Sequence, residues 1–155
     1  MATEIERTFL LRNDSWRAQA DAGTPYRQGY LCSDPQRCVR VRVSGERAWL
    51  NIKKATSALR RLEYDYPIPF ADAIELLDEL CPDQRIDKTR YHVDHAGHRW
   101  EIDVFEGANA GLVVAEIELD DEQEAFARPA WLGEEVSDDP RYYNMNLART
   151  PYTQW

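Results

Sequence analysis

Glu4-Ile5-Glu6, Arg40-Val41-Arg42 and Glu116-Ile117-Glu118 are the stretches of this sequence that decide its fold. In each, a β-branched apolar residue separates two residues of like charge, which is the alternation of a β-strand. Side chains two positions apart in a strand point to the same face, about 7 Å from each other. Like charges at that distance repel, so each pair needs a counter-charge, a metal ion or a charged ligand in front of it.

The same alternation continues along most of the chain. It predicts strands over residues 3–11, 37–43, 48–53, 61–66, 86–93, 99–105 and 112–119. One face of nearly every strand is ionisable, and its charges come largely in pairs of one sign. The acids are Glu4, Glu6, Glu63, Asp65, Glu101, Asp103, Glu116 and Glu118, and the bases are Arg40, Arg42, Lys53, Arg61, Lys88, Arg90 and Arg99.

Two architectures explain ionisable strand faces. One is a sheet whose polar face is washed by solvent and carries scattered ion pairs, the commoner arrangement for any single strand. The other is a sheet that curls until these faces meet inside a barrel with a charged, hydrated interior. Because random surfaces do not sort charges into like pairs on strand after strand, we predict the barrel, an α+β fold of one domain spanning residues 1–155.

The apolar outer face of such a barrel must be covered by helices or by a second subunit. Residues 70–80 carry apolar side chains at helical spacing and predict an amphipathic helix. Residues 13–22, 120–127 and 140–148 are candidates for shorter helices. A homodimer is the alternative means of covering the remaining apolar surface.

Composition narrows the class of protein. The chain has 155 residues, of which 43% are hydrophobic and 30% charged, as expected for one soluble globular domain. A net charge of -9 argues against nucleic acid and anionic membranes as partners. Three cysteines without CxxC spacing, and no apolar segment typical of a signal peptide or membrane span, predict reduced thiols in the cytoplasm.

Carboxylate pairs that face arginine and lysine clusters suggest one chemistry. Carboxylates bind Mg²⁺ or Mn²⁺, while guanidinium and ammonium groups bind phosphate oxygens. A polyphosphate carries enough charge to need both kinds of group. Phosphoryl transfer requires mainly positioning and charge neutralisation, so the lack of a credible covalent nucleophile is no obstacle.

Two other sites are weaker hypotheses. His92, His95 and His98 are spaced as HxxHxxH, but they flank a predicted turn at 94–97, so surface histidines are favoured over a zinc site. Cys38 lies among arginines and would be reactive only if it faced them, so a filler role is favoured.

The chain resembles the CYTH, or triphosphate tunnel metalloenzyme, family, and its short bacterial single-domain branch in particular. The resemblance begins at Glu4-Ile5-Glu6-Arg7-Thr8, which is similar to the family signature ExExK. It continues through Tyr26–Leu31, Val39–Arg42, Ile52-Lys53, Arg61–Asp65, Lys88–Tyr91, Glu101–Phe105, Ala115–Glu118, Trp131–Val136 and Asp139–Asn144. It implies an eight-stranded antiparallel tunnel that transforms triphosphates with Mg²⁺ or Mn²⁺.

The resemblance also implies roles for individual residues. The metal ligands would be Glu4, Glu6, Glu116 and Glu118. Substrate contacts would come from Arg40, Arg42, Lys53, Arg61, Lys88 and Arg90. By the same resemblance, Glu63 and Asp65 would be further acids of the metal site, and Asp103 would orient a base or a metal-bound water. We predict Glu63, Asp103 and Lys88 as catalytic.

The sequence departs from the family signature at one position, where Thr8 replaces the lysine of ExExK. A hydroxyl can donate one hydrogen bond but supplies no positive charge. We predict hydrolysis of inorganic tripolyphosphate, reduced or altered by Thr8. The alternatives are an organic triphosphate, as in thiamine triphosphatases or class IV adenylate cyclases, and a protein that binds polyphosphate or a nucleotide without hydrolysing it.

Overall fold

The computed structural model describes residues 3–155, which form one antiparallel sheet with short helices. The strands are β1 (Thr3–Leu11), β2 (Thr24–Asp34), β3 (Arg37–Ser44), β4 (Arg47–Ala55), β5 (Arg60–Pro67), β6 (Arg85–His95), β7 (His98–Phe105), β8 (Val113–Leu119) and β9 (Leu132–Glu135). The α-helices are α1 (Phe70–Leu80) and α2 (Asn144–Arg149). Short 3-10 helices lie at Ser15–Gln19, Gly107–Asn109, Pro140–Tyr142 and Tyr152–Gln154.

Strand β1 closes the sheet into a barrel because it pairs on both sides. One side runs along β8, with Glu6 opposite Glu118. The other side pairs first with β5, where Glu4 lies opposite Arg61, and then with β9. The remaining neighbours follow the order β5-β4-β3-β2-β6-β7-β8. The predicted eight-stranded antiparallel barrel is confirmed, and β9 is an additional strand beside β1.

Segments outside the barrel strands cover much of its apolar outer face. Helix α1 lies over β3 and β4, where Leu77 and Val41 share one buried core. On the side formed by β1, β7 and β8, Trp16 and Trp131 belong to the core around Trp100. No helix within residues 3–155 has both the length and the apolar character needed to span a membrane.

The interior is charged along part of its length and apolar at one end. The apolar end forms a core with α2, made of Tyr30, Cys38, Ile86, Phe105, Leu112, Val114, Leu147 and Ala148. Leu147 of α2 has no exposed surface. The expectation of a charged interior therefore holds for one part of the barrel only, because α2 fills the other end with hydrocarbon.

Strand β2 is the barrel strand that alternation did not predict. Its inward side chains change from the polar Gln28 to the aromatic Tyr30 as the strand reaches the apolar end. Its outward face contains Gly29, which lies so close under α1 that an added Cβ would come within 2.8 Å of Leu77. An irregular register between Tyr30 and Cys32 also breaks the period of two.

The predicted helix at 120–127 is wrong. Acidic side chains there accept hydrogen bonds from nearby backbone N–H groups, as Asp121 does from Gln123 and Glu124 does from Asp120, which favours turns over helix. The candidate at 13–22 is a 3-10 helix over Ser15–Gln19. The candidate at 140–148 is split into a 3-10 turn and α2, whereas α1 matches its prediction.

Candidate active site

A cavity of about 500 Å³ occupies the charged part of the barrel. Its acidic and basic wall residues are Glu4, Glu6, Arg40, Arg42, Lys53, Arg60, Arg61, Glu63, Asp65, Lys88, Arg90, Glu101, Glu116 and Glu118. All the residues predicted as metal ligands or substrate contacts belong to this wall. Of the predicted catalytic residues, Glu63 and Lys88 line the cavity, and Asp103 lies behind it.

Carboxylates crowd one side of the cavity. Glu6 and Glu118 face each other across β1 and β8, and Glu101 lies opposite Glu116 across β7 and β8. Burial and the charge of Glu6 raise the pKa of Glu116 to about 7. Burial and the neighbouring carboxyl of Glu63 raise the pKa of Glu4 to about 8. These acids resist ionisation because they are buried and stand beside other carboxyl groups, a condition that a bound cation would relieve.

The chemistry of these donors fits a hard divalent ion, because Mg²⁺ and Mn²⁺ prefer carboxylate oxygens. Within residues 3–155, no three His, Cys, Asp or Glu side chains already surround a point where a metal ion could sit.

Basic side chains line the side formed by β3 and β4. Arg40 donates from Nε to Oδ1 of Asn51 at 2.9 Å. Its Nη2 atom is buried without a hydrogen-bond partner among the described residues, and the nearest carboxylate oxygen, on Glu63, is 3.8 Å away. Burial and the charge of Arg40 lower the pKa of Lys53 to about 7. An unsatisfied guanidinium nitrogen at a cavity is a place where an anion gains a strong contact.

Glu63 stands between the two kinds of wall. Its carboxylate lies 3.3 Å from the Nζ atom of Lys53. Burial alone would raise the pKa of Glu63, but the hydrogen bond with Glu4 and the charges of Lys53 and Arg40 outweigh it and hold the pKa well below its usual range. Glu63 is therefore an anion at neutral pH and can orient a water molecule by accepting a hydrogen bond.

Asp103 is fully buried, with 0% of its surface exposed. It accepts hydrogen bonds from Nζ of Lys88 at 2.7 Å and from Nε of Arg90 at 2.8 Å. Burial alone would raise its pKa, but the charges of Arg90 and Lys88 hold the pKa well below its usual range. The prediction placed Asp103 on the correct strand face, but its carboxylate neutralises two cations and does not line the cavity.

The two weaker sites do not compete with this cavity. His92 contacts Asp21 at 3.2 Å and His98 contacts Glu124 at 2.6 Å, so these two histidines turn to separate carboxylates. Cys38 does face the cavity wall, but burial raises the pKa of its thiol. A protonated thiol in contact with the apolar end acts as a small hydrophobe.

The sequence profile of the CYTH domain matches residues 2–143. The chain belongs to the CYTH family. It is 45% identical to an inorganic triphosphatase of Acetivibrio thermocellus, over 98% of this chain and 97% of the relative. It is 35% identical to an inorganic triphosphatase of Nitrosomonas europaea, over 94% of this chain and 97% of the relative. A crystal structure of an inorganic triphosphatase superposes with a TM-score of 0.68 at 35% identity, covering 96% and 95% of the two chains.

The CYTH signature ExExK ends at Thr8 in this chain, and the structure shows where that residue lies. Thr8 pairs with Glu116 across β1 and β8, and it lines the cavity. Its backbone N–H donates to the hydroxyl of Ser137 at 2.9 Å. The position that the CYTH signature gives to a cation is therefore neutral here and stands beside a carboxylate that is hard to ionise.

CYTH sequence motifs alone did not identify the contribution of the segment after β9. Tyr142, Tyr143, Asn144 and Met145 line the cavity. Asn144 accepts hydrogen bonds from Gln28 at 3.2 Å and from Lys88 at 3.0 Å. Asn144 was the last of the residues that carried the family resemblance. No charge or periodicity in the sequence indicated that its side chain contacts the barrel interior.

Proposed function

We propose that this CYTH protein hydrolyses inorganic tripolyphosphate to orthophosphate and pyrophosphate with the help of a divalent metal ion. The observation that carries the proposal is the pairing, in one cavity, of under-neutralised carboxylates with a buried Arg40 nitrogen that has no partner within residues 3–155. A metal–polyphosphate complex supplies both missing charges. The two relatives named inorganic triphosphatase support the same reaction.

We assign the metal to the acidic side of the cavity. Glu4, Glu6, Glu116 and Glu118 would hold Mg²⁺ or Mn²⁺, in agreement with the metal dependence that is general among CYTH triphosphatases. When bound, the ion would neutralise phosphate oxygens and polarise the bond to be broken.

We assign the phosphates to the basic residues of the cavity wall. Arg40, Arg42, Lys53, Arg61, Lys88 and Arg90 would bind their oxygens, while the ionised Glu63 orients the attacking water. Burial lowers the pKa of Lys88 to about 8 against the opposing charge of Asp103. This lowered pKa lies close to neutral pH, the range that suits a general acid or base. Asp103 keeps Lys88 and Arg90 in place.

Phosphate release from tripolyphosphate, ATP and thiamine triphosphate, each with Mg²⁺ or Mn²⁺, tests the function. We expect release from tripolyphosphate with either metal and none with chelator. Faster release from an organic triphosphate would favour that alternative substrate. Calorimetric binding of tripolyphosphate without release would favour a protein that only binds it.

Partners and location stay predictions from the sequence: a small polyphosphate ligand, neither nucleic acid nor membrane, a cytoplasmic location and a homodimer. For the homodimer, the outer face of β4 and β5 offers Ile52, Tyr64 and Tyr66, each with 37–51% of its surface exposed. Sedimentation of the native protein and of a Tyr66→Lys variant tests whether this face pairs.

Adding the lysine of the signature is expected to tighten substrate binding. Thr8→Lys places an ammonium group on the cavity wall beside Glu116, where it can contact a phosphate. Because a hydrogen bond between charged groups is worth ~1.5–3 kcal/mol, the KM for tripolyphosphate should fall by roughly ten- to hundredfold. Thr3→Lys is the matched control, since Thr3 lies on the same strand with an exposed side chain. An equal response of both variants, or no response to Thr8→Lys, would remove Thr8 from the explanation.

The stability of the metal-free protein is expected to fall as the pH rises from about 5 to about 7. Glu4 and Glu116 have folded pKa values of about 8 and about 7, above their ordinary 4.5. The folded state therefore binds more protons than the unfolded state in this window, so raising the pH favours unfolding. Above pH 7 the lowered pKa of Lys53 makes stability rise with pH, because this residue then binds more protons in the unfolded state than in the folded state.

Thermal unfolding with chelator and with Mg²⁺ checks this prediction. Mg²⁺ should raise the melting temperature more at pH 7 than at pH 5, because ionised carboxylates bind it better. Glu116→Gln should flatten the pH dependence of the melting temperature, because it removes one of the two carboxyl groups with a raised pKa. A flat profile in the native protein would contradict the cluster of raised pKa values.

A further inference from the structure

Two neutral amides connect two cations of the cavity wall that lie on either side of β2. Nε of Arg42 donates to Oε1 of Gln28 at 2.9 Å. Nε2 of Gln28 donates to Oδ1 of Asn144 at 3.2 Å, and the same oxygen accepts from Nζ of Lys88 at 3.0 Å. Arg42, Gln28, Asn144 and Lys88 thus form one continuous chain of hydrogen bonds across β3, β2, α2 and β6.

This chain fixes which donors remain for a ligand. Lys88 has three N–H donors, and Asp103 and Asn144 occupy two of them, so the direction of the third is set. Arg42 uses Nε for Gln28 and stacks on the ring of Tyr26, 4.6 Å from its centroid. Its two terminal nitrogens donate to no group within residues 3–155, and both cations line the cavity. The amides therefore hold each cation from one side, and within residues 3–155 at least one N–H donor of each cation has no hydrogen-bond partner.

Neutral amides suit this task better than acids. A carboxylate at either position would also hold the cations, but its charge would oppose the binding of a polyanion in the same cavity. Gln28 is almost fully buried, at 1% exposed, so its two polar ends must both be satisfied. The arrangement achieves this because one end accepts from Arg42 and the other donates to Asn144.

We infer that Gln28 and Asn144 form an amide bridge that positions Arg42 and Lys88 for polyphosphate, so that helix α2 completes the binding site and does more than close the barrel. The inference rests on the proposed function and extends it to two residues without charge. Both act as positioning residues, because each touches a cation that binds substrate.

The test is a double-mutant cycle with Asn144→Ala and Gln28→Met. Each single variant is expected to raise the KM for tripolyphosphate by about tenfold with a smaller change in kcat, and the double variant by less than the product, because the two residues belong to one chain of contacts. Calorimetry with tripolyphosphate and chelator should show the same loss of affinity without turnover. Asn146→Ala is the matched control, since that amide donates to the backbone of Pro140 in the same segment.

Unfolding curves are measured for each variant. If Gln28→Met fails to fold, Asn144→Ala still tests the inference, because Asn144 is only half-buried at the start of α2. Native affinity for tripolyphosphate in a folded Asn144→Ala protein would overturn the bridge. Equal losses in Asn144→Ala and Asn146→Ala would also overturn it, because helix damage would then be the cause. If native protein itself neither binds nor hydrolyses tripolyphosphate, the proposed function fails first, and that outcome is visible before any variant is made.

Discussion

Replacing Glu118 by glutamine is expected to abolish metal-dependent turnover while leaving the fold at least as stable. Glu6 has a partner in Arg61 at 3.2 Å and Glu116 has one in Arg90 at 3.6 Å, but Glu118 makes no salt bridge within residues 3–155. Burial and the surrounding acids raise the pKa of Glu118. Glutamine keeps the size of the side chain and removes this repulsion, so the free energy of unfolding should not decrease.

Turnover should respond in the opposite way, because glutamine offers the metal one neutral oxygen in place of a carboxylate. We expect phosphate release from tripolyphosphate at a fixed low Mg²⁺ concentration to drop by about a hundredfold or more. Glu46→Gln, an exposed acid in the turn between β3 and β4, is the matched control. Turnover close to native would show that Glu118 is no ligand, and a loss of stability would show that its role is structural.

The charged faces explain why so much of the barrel could be predicted from the sequence. Glu6 and Glu118 belong to different like-charged pairs more than a hundred residues apart, yet they are register partners on β1 and β8. Alternation with a period of two fixes the face of every residue in a strand, and the cost of unpaired like charges indicates that these faces converge. Each predicted metal or phosphate contact therefore reached the same cavity.

Strand β2 shows the limit of that argument. A period of two is visible only where the inward and outward faces differ in polarity, and at the apolar end both faces are buried against hydrocarbon. Tyr30 packs toward α2 inside the barrel, while Gly29 packs under α1 outside it. The alternation of polar and apolar residues is therefore not visible in the sequence of β2, although the strand pairs with both β3 and β6.

Asn144 shows a second limit. Its contacts with Gln28 and Lys88 join positions 116 and 56 residues apart, and neither contact depends on a strand period. A neutral amide carries no charge that must be balanced, so nothing in the sequence indicates what it touches. Asp103 is intermediate: the period gives its face, but only its two partners reveal that it points behind the cavity wall.

The Asp103→Asn variant is expected to lose about 3–5 kcal/mol of unfolding free energy, as removal of one partner from a buried ion pair does. The side chains of Asp103 and Lys88 are 0% and 1% exposed, so water cannot replace the lost charge. Asparagine can still accept a hydrogen bond, but it leaves Lys88 and Arg90 as buried cations. Chemical unfolding at pH 7 measures the effect. Asp94→Asn is the matched control on the same hairpin, because its partner Arg99 is exposed and the exchange should cost little.

Polyanion binding separates this structural role from direct catalysis. Tripolyphosphate brings negative charge to Lys88 and Arg90, so it should stabilise Asp103→Asn more than it stabilises the native protein. A residue that contacts the substrate directly would behave differently: its loss would lower kcat and leave the unfolding free energy unchanged. If Asp103→Asn kept native stability but showed a large fall in kcat, the catalytic role predicted from the sequence would be supported. The balance of buried charges would then not explain why this carboxylate lies behind the cavity wall.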